Sequence, residues 1–414
     1  MNASKKRKIY RKEQYVEMSK RLFYMSKLIE QRIGGYQLEI TLIPAKSGDS
    51  VLIKTESSLM LVDAGYVSTY ENYIKKILRD EGKALDLVVC THFDQDHIGG
   101  MIPLVKKETN IEKVWFNGFY QFFSVDRKEQ LQFSEKRKLS IEFNYLEEDF
   151  NSDLRISRTQ GEQLSNLLEL NPKIQVNEEV SNKVISSESS SIEINDFSIE
   201  IISPDKKSID KLKENWSKEL ANVINRNTKS CEPEIVQAFE NYQRLQSLER
   251  ENAILDICGN LLAFSEILNE EPSSFESSVI NKASISFILR AKEKSFLYLS
   301  DTDDEQIFKY LTEHQYTYFD VIKLSHHGSS RNNWKWIDFV KSDKFLISTD
   351  GKKHTNHPSL NVLAKIVINN PKCHLYFNYK IDEVKKFLDY NIKKYDFQYT
   401  FPKKDELIRI KVGE

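Results

Sequence analysis

Thr91-His92-Phe93-Asp94-Gln95-Asp96-His97-Ile98-Gly99-Gly100 is the stretch whose reading decides the fold. It follows Leu85-Asp86-Leu87-Val88-Val89-Cys90, a short apolar run with two valines that reads as a buried strand. Such a strand delivers His92, Asp94, Asp96 and His97 into a tight loop, and Gly99 and Gly100 let the backbone turn before the next apolar segment, Met101 to Val105. Four residues able to bind a metal within six positions are hard to account for as solvated loop polarity. Alternating ligands on an extended loop point at one centre, and the adjacent Asp96-His97 pair turns toward a second. A polar loop with two surface histidines would account for isolated residues but not for this density.

The chain has 414 residues, 40% hydrophobic, 11% aromatic and 29% charged, enough for a sizeable core under a well-hydrated surface. A formal net charge of -2 gives no global electrostatic case for nucleic acid or anionic membrane. Cys90, Cys231, Cys258 and Cys373 stand singly, with no C-x-x-C pair, which fits a reducing cytoplasm. The basic start (Lys5 to Lys12) lacks an apolar core for a signal peptide, and no run approaches the roughly 18 apolar residues of a membrane span.

Working outward, residues 12–32 carry Tyr15, Met18, Leu22, Met25 and Leu28 at helical spacing before Gly34-Gly35, so residues 1–35 read as an amphipathic helical extension. Tyr36 to Ile43, Ser50 to Thr55 and Ser58 to Val62 read as strands, the last ending in Asp63-Ala64-Gly65. Tyr70 to Leu78 reads as a helix feeding the strand that ends at Cys90, a layered α/β pattern. Asp196 to Ser203 is a further strand, and residues 205–270, helical in period, read as an insertion at the rim, able to contact the sandwich or another subunit. Asn281 to Arg290 and Lys294 to Leu299 read as a hairpin ending at Ser300-Asp301. Phe319 to Ser325 runs into His326-His327-Gly328-Ser329, and Lys344 to Ser348 leads toward His354 and His357-Pro358.

Three strand ends therefore carry candidate ligands: 92–97, 301 and 326–327. Asp301 can bridge two cations with its two oxygens, and a pair about 3.5–4 Å apart polarises an ester or phosphoryl oxygen and supplies a bound hydroxide at neutral pH. As an alternative or additional role, Asp301 could cap the helix that begins with Thr302-Asp303-Asp304-Glu305. Adjacent side chains leaving a strand diverge, so only one of the histidines is expected to ligate. His326, nearest the rigid strand end, is the expected ligand. His327, with His357 as a second candidate, would contact the scissile phosphate or protonate the leaving oxygen. Asp63 is expected to support the loop by hydrogen bonding to its backbone. Lys323, Arg331, Lys335, Lys341, Lys344, Lys352 and Lys353, with Trp334 and Trp336 among them, suit a phosphate backbone and stacked bases if the tryptophans are exposed.

This order of motifs resembles the metallo-β-lactamase fold superfamily, and within it the hydrolase domain of the bacterial competence DNA-uptake channel (ComEC-type). The matching residues are Gly48-Asp49-Ser50, Asp63-Ala64-Gly65, His92 to Gly100, Asn281 with Ser284, Asp301, His326 to Ser329, and His357-Pro358 after Asn356. The resemblance implies a four-layer αββα sandwich over residues 36–414, interrupted by the insertion. It implies a metal-dependent phosphodiesterase or nuclease with His92, Asp94, Asp96, His97, Asp301 and His326 as ligands. Asp96, His327 and His357 would do the chemistry, and Lys323, Ser329, Arg331 and Asn356 would hold substrate. Asp94 stands where the wider superfamily has histidine, and no histidine occurs from 98 to 313. Carboxylates harden the site, which moves the expectation for its two divalent ions from zinc toward manganese or magnesium. The expected partner is nucleic acid or another phosphodiester, without a membrane. A metallohydrolase of a small phosphoester or nucleotide, and a scaffold without turnover, are the competing readings.

Overall fold

Apolar residues that alternate along the strands leave each sheet greasy on both faces, and the architecture follows from covering both. The computed structural model describes residues 38–123, 160–223, 263–268, 271–272, 274–276, 278–352, 357–403 and 406–413. Strands β1 (Leu38–Leu42), β2 (Val51–Lys54), β3 (Leu59–Val62), β4 (Leu85–Cys90), β5 (Ile111–Phe116) and β6 (Gln175–Val176) join the C-terminal β15 (Ile408–Val412). They form a seven-stranded sheet in the order β15-β1-β2-β3-β4-β5-β6. The second sheet takes β7 (Ile192–Ile194), β8 (Phe197–Ser203), β9 (Ser286–Ala291), β10 (Lys294–Tyr298), β11 (Tyr318–Lys323), β12 (Lys341–Ile347), β13 (His374–Phe377) and β14 (Gln398–Thr400). Its eight strands are ordered β14-β13-β12-β11-β10-β9-β8-β7. In both sheets the strands that deliver site residues run parallel, β3 with β4 and β10 with β11 and β12, so their C-terminal loops collect along one edge.

Between the sheets, Val51, Ile53, Met60, Val62, Leu87 and Val89 meet Phe287, Leu289, Phe296, Tyr298, Val321 and Leu346. Their neighbours Leu52, Leu61 and Val88 face outward onto Tyr70, Ile74, Leu104 and Leu164. On the far side Ile288, Leu297, Ile322 and Phe345 meet Ile307, Leu311, Leu363 and Ile366. The result is the expected αββα sandwich. Each large aliphatic side chain so buried contributes about 1.5–3 kcal/mol, so a charged residue on either face must bring its partner with it.

Several local expectations change. Asn281 lies in a helical turn, Val279–Lys282, because Ser278 caps it by accepting from the Asn281 amide at 3.2 Å; the strand begins only at Ser286. Both tryptophans are core residues: Trp336 is fully buried with Nε1 donating to the Asn332 carbonyl at 3.2 Å, and Trp334 is 7% exposed under the Lys365 ammonium at 4.1 Å. Neither is a stacking platform for bases. Of the segment 205–270, Lys206–Val223 is a helix, and Phe264 packs into the core, its amide donating to Asn391 Oδ1 at 2.9 Å. Residues 224–262 and the N-terminal helix at 12–32 lie outside the described residues. Among the described residues no helix is long and apolar enough to cross a membrane.

Candidate metal centre

The loop after β4 is held from three sides. Gly48 packs so close that a Cβ there would stand 1.9 Å from the Asp96 carbonyl oxygen, which also accepts from the Asp49 amide at 3.2 Å. Asp63 leaves β3 with φ +55, a conformation unfavourable for a residue with a Cβ. Its hydrogen bonds hold it there. Oδ1 accepts from the Thr91 amide at 2.9 Å, and Oδ2 accepts from Thr91 Oγ1 at 2.7 Å, His97 Nδ1 at 2.8 Å and the Tyr298 hydroxyl at 3.3 Å. One buried carboxylate thus ties the loop to both sheets. Asp63→Asn puts an amide among these donors, so it should cost on the order of 3 kcal/mol in denaturant unfolding and weaken any metal held by His97 about 10–100-fold. Wild-type stability in that variant would show the network to be dispensable.

Four imidazoles surround Asp301, Asp94 and Asp96, and each has its Nδ1 engaged. The partners are Thr91 Oγ1 at 2.9 Å for His92, Asp63 for His97, Asn332 Oδ1 at 3.2 Å for His326 and the Ser348 carbonyl at 2.9 Å for His327. The Nε2 atoms face carboxylates. His92, His97 and His326 each stand 3.7 Å from Asp301 Oδ2, His92 stands 3.6 Å from Asp94 Oδ2, and His327 stands 3.9 Å from Asp96 Oδ2. These gaps are too long for hydrogen bonds. They lie near the ligand-to-ligand edge of about 3.3–3.4 Å in a tetrahedral shell with bonds of about 2.0–2.1 Å. His92 Nε2, His97 Nε2, Asp94 Oδ1 and Asp301 Oδ1 are buried without a hydrogen-bond partner among the described residues. The donor set therefore fits divalent cations.

Two overlapping groups have all donor atoms within 4.8 Å of one another: His92, His97 and Asp301, and Asp96, His97 and His327. With Nδ1 committed to Asp63, His97 has a single nitrogen to give and can serve one ion only. Burial by itself would raise Asp301, but the facing imidazoles of His326 and His97 hold it well below the usual carboxylate range. Burial would lower His97 and His326, yet Asp301 with Asp63 raises the first well above its ordinary value. Asp301 with Glu276 raises the second to about 9. Protons and cations compete here for the same lone pairs.

The adjacent histidines do not diverge. His326 and His327 adopt left-handed backbone angles, φ +44 and +56, in a tight turn completed by Gly328 at φ +86, and both rings face the carboxylates with centroids 5.7 Å apart. Depth also runs against expectation: the His327 side chain is 1% exposed and that of His326 is 20% exposed. His357, half-buried, has its ring centroid 5.4 Å from that of His326. Asp301 is not the cap of the following helix, whose N-cap is Asp303.

Lys323 does not reach substrate. It is fully buried, bonded to Asp49 Oδ2 and to the Leu299 carbonyl at 3.1 Å, because its strand has sheet or helix on both faces. Ser329 is buried within its own loop, its Oγ accepting from the Arg331 amide at 3.3 Å. Arg331 donates from Nε and Nη2 to Ser274 Oγ at 3.1 and 2.7 Å. Asn356 lies outside the described residues. Two participants escaped the sequence reading. Asp49 was visible only as part of the Gly-Asp-Ser turn, although a lysine inside an apolar strand demands a carboxylate somewhere. Glu276, 3.2 Å from His326 Nδ1, had no signal.

The family model described as Metallo-beta-lactamase superfamily matches residues 43–162, the stretch that carries β2 to β5 and the candidate ligand loop 92–97. This fold is generally hydrolytic and metal-dependent, usually with zinc. No curated protein matches the chain. Among solved structures, the metallo-beta-lactamase fold protein YhfI from Bacillus subtilis aligns at 8% identity and TM-score 0.37, covering 90% of this chain and 99% of that one. A diphosphatase of the PhnP family aligns at 11% identity and TM-score 0.33, covering 91% and 98%. Igni18, a metallo hydrolase from Ignicoccus hospitalis, aligns at 9% and 0.35, covering 90% and 99%. Overlaps this loose carry no substrate across to this chain.

Proposed function

We propose that this chain is a metal-dependent hydrolase of phosphodiesters. The observation that carries the reading is the convergence of four imidazole Nε2 atoms and three carboxylates, drawn from both sheets, around buried atoms without hydrogen-bond partners. His92, Asp94, Asp301 and His326 would hold one ion and Asp96 and His327 a second, with the single free nitrogen of His97 within reach of either group. Divalent ions there supply Lewis acidity and an activated water at neutral pH. Asp63, Asn332 and the Ser348 carbonyl keep the imidazoles in the tautomer whose Nε2 lone pair faces inward. His357, beside His326 and outside both donor groups, is the residue best placed to protonate a leaving oxygen. With His327 buried beside Asp96 and His97, the ligand role extends to it and the acid role passes to His357.

The carboxylate-rich set and the ComEC-like order of motifs favour phosphoryl oxygens over softer substrates. A nuclease is the narrower form of this reading. It keeps the motif order and the exposed Lys335 and Lys352, but not the tryptophans, Lys323, or Lys341, which opens β12 at the end away from the site. The test is chelator-stripped protein, reloaded with manganese or zinc, assayed on bis(p-nitrophenyl) phosphate and on labelled single-stranded DNA alongside a metal count per chain. Turnover should vanish on stripping and return with metal. Undiminished turnover by metal-free protein would overturn the reading.

A further inference from the structure

One of the four imidazoles is backed by a carboxylate from the segment that enters β9. Glu276, 5% exposed, places Oε2 3.2 Å from His326 Nδ1 and 3.1 Å from Asn281 Nδ2, and Oε1 accepts from the Ser278 amide at 2.6 Å. Asn332 Oδ1 faces the same Nδ1 at 3.2 Å. Its own amide nitrogen is committed to the Asp301 and Thr302 carbonyls at 3.2 Å each, which fixes the oxygen toward His326. Two acceptors thus require Nδ1 to carry the hydrogen and leave the Nε2 lone pair for the centre. The Glu276 segment is stapled to the histidine loop on either side, by its amide to the Arg331 carbonyl at 3.4 Å and by the Arg331 guanidinium to Ser274 Oγ. His92, by contrast, has a neutral oxygen behind it, and His327 has the Ser348 carbonyl at 2.9 Å with the Asp49 carboxylate farther off at 3.6 Å.

We propose that Glu276 is a positioning residue that fixes the tautomer of His326 and strengthens it as a donor, so that the centre's hold on its cation is set partly from the segment entering β9. This rests on the metal-centre reading above. Because His326 is the most exposed of the four rings, it has the least packing to orient it, and a charged acceptor supplies what packing does not.

The experiment compares wild type, Glu276→Gln and Glu276→Ala as full chains. Cobalt(II) affinity is read by competition with a chromophoric chelator, the visible spectrum of the cobalt-loaded protein is recorded, and ¹⁵N shifts of the His326 ring are measured in metal-free protein. Glu276→Ala should bind cobalt about 10–100-fold more weakly with an altered spectrum, and Glu276→Gln, which still offers an acceptor oxygen, should lose less. In the metal-free variants, recorded at alkaline pH where the ring is neutral, the His326 shifts should move away from the Nδ1–H form. Wild-type affinity, spectrum and ring shifts in both variants would overturn the proposal. If wild type itself binds no cobalt, the metal-centre reading falls. The ring shifts, which need no metal, then decide the role of Glu276, and Glu276→Gln keeps the test open should the alanine variant not fold.

Discussion

Asp301→Asn should lose its bound metal and at least about a thousandfold in turnover, the equivalent of roughly 4 kcal/mol, while keeping its fold. The substitution preserves shape, removes the charge and replaces one acceptor oxygen with an amide nitrogen. That charge is what three Nε2 atoms face at a common 3.7 Å. Its surroundings argue that the fold survives: the site has sheet on both sides, and the Asp301 amide keeps its contact to Ser284 Oγ at 3.3 Å. Element-specific metal counting, steady-state kinetics and circular dichroism check the three parts separately. Thermal melts add a fourth. A ligand at a hundred times its dissociation constant stabilises by about 2.7 kcal/mol, so loaded wild type and variant should melt further apart than the stripped proteins do. A variant that retains stoichiometric metal and full turnover would remove Asp301 from the centre.

Lys323→Met should destabilise the protein by about 3–5 kcal/mol, the usual cost of leaving one member of a buried ion pair alone. Asp49 and Lys323 are both fully buried, and Asp49 Oδ1 lies 3.6 Å from His327 Nδ1. Burial would raise the Asp49 carboxyl, but Lys323 and His327 hold it far below the ordinary range, so without the ammonium an uncompensated negative charge remains behind the centre. A substrate-binding lysine would behave differently, raising KM at unchanged stability. Denaturant midpoints distinguish the two outcomes. The double substitution Asp49→Asn with Lys323→Met should recover part of the loss, since it removes the orphaned charge along with its partner.

How far the sequence could be read depended on how local the cause was. β4 and its loop were legible because two histidines and two aspartates, four side chains able to ligate a cation, crowd within six positions at the end of an apolar run. Asp63 was legible because it closes a neighbouring strand. The sandwich followed from several such strand ends in order. What failed was decided at a distance. Lysines around Trp334 and Trp336 suggested an exposed basic face, whereas the helix Leu360–Asn369 covers the sheet there and brings Lys365 to cap Trp334 with a bond to its carbonyl at 2.7 Å. Strand alternation separated His326 from His327, but it does not apply to a left-handed turn. Glu276 was illegible because its role is created by a hydrogen bond to a residue fifty positions later. The C-terminal strands β13 to β15 and the helix Asp382–Asn391 between them were not assigned, being short or interrupted by charge.

The Asp49–Lys323 contact also spans 274 residues of chain, and that distance bears on how the protein comes apart. One partner lies in the turn before β2 and the other at the end of β11, so the pair forms only once both sheets are stacked. Contacts of such sequence separation are expected to be absent from the folding transition state, with φ-values near zero. Losing the pair should then leave the refolding rate nearly unchanged and speed unfolding by roughly two to nearly four orders of magnitude. Measured that way, the buried pair sets the lifetime of the folded molecule and contributes little to the speed of reaching it.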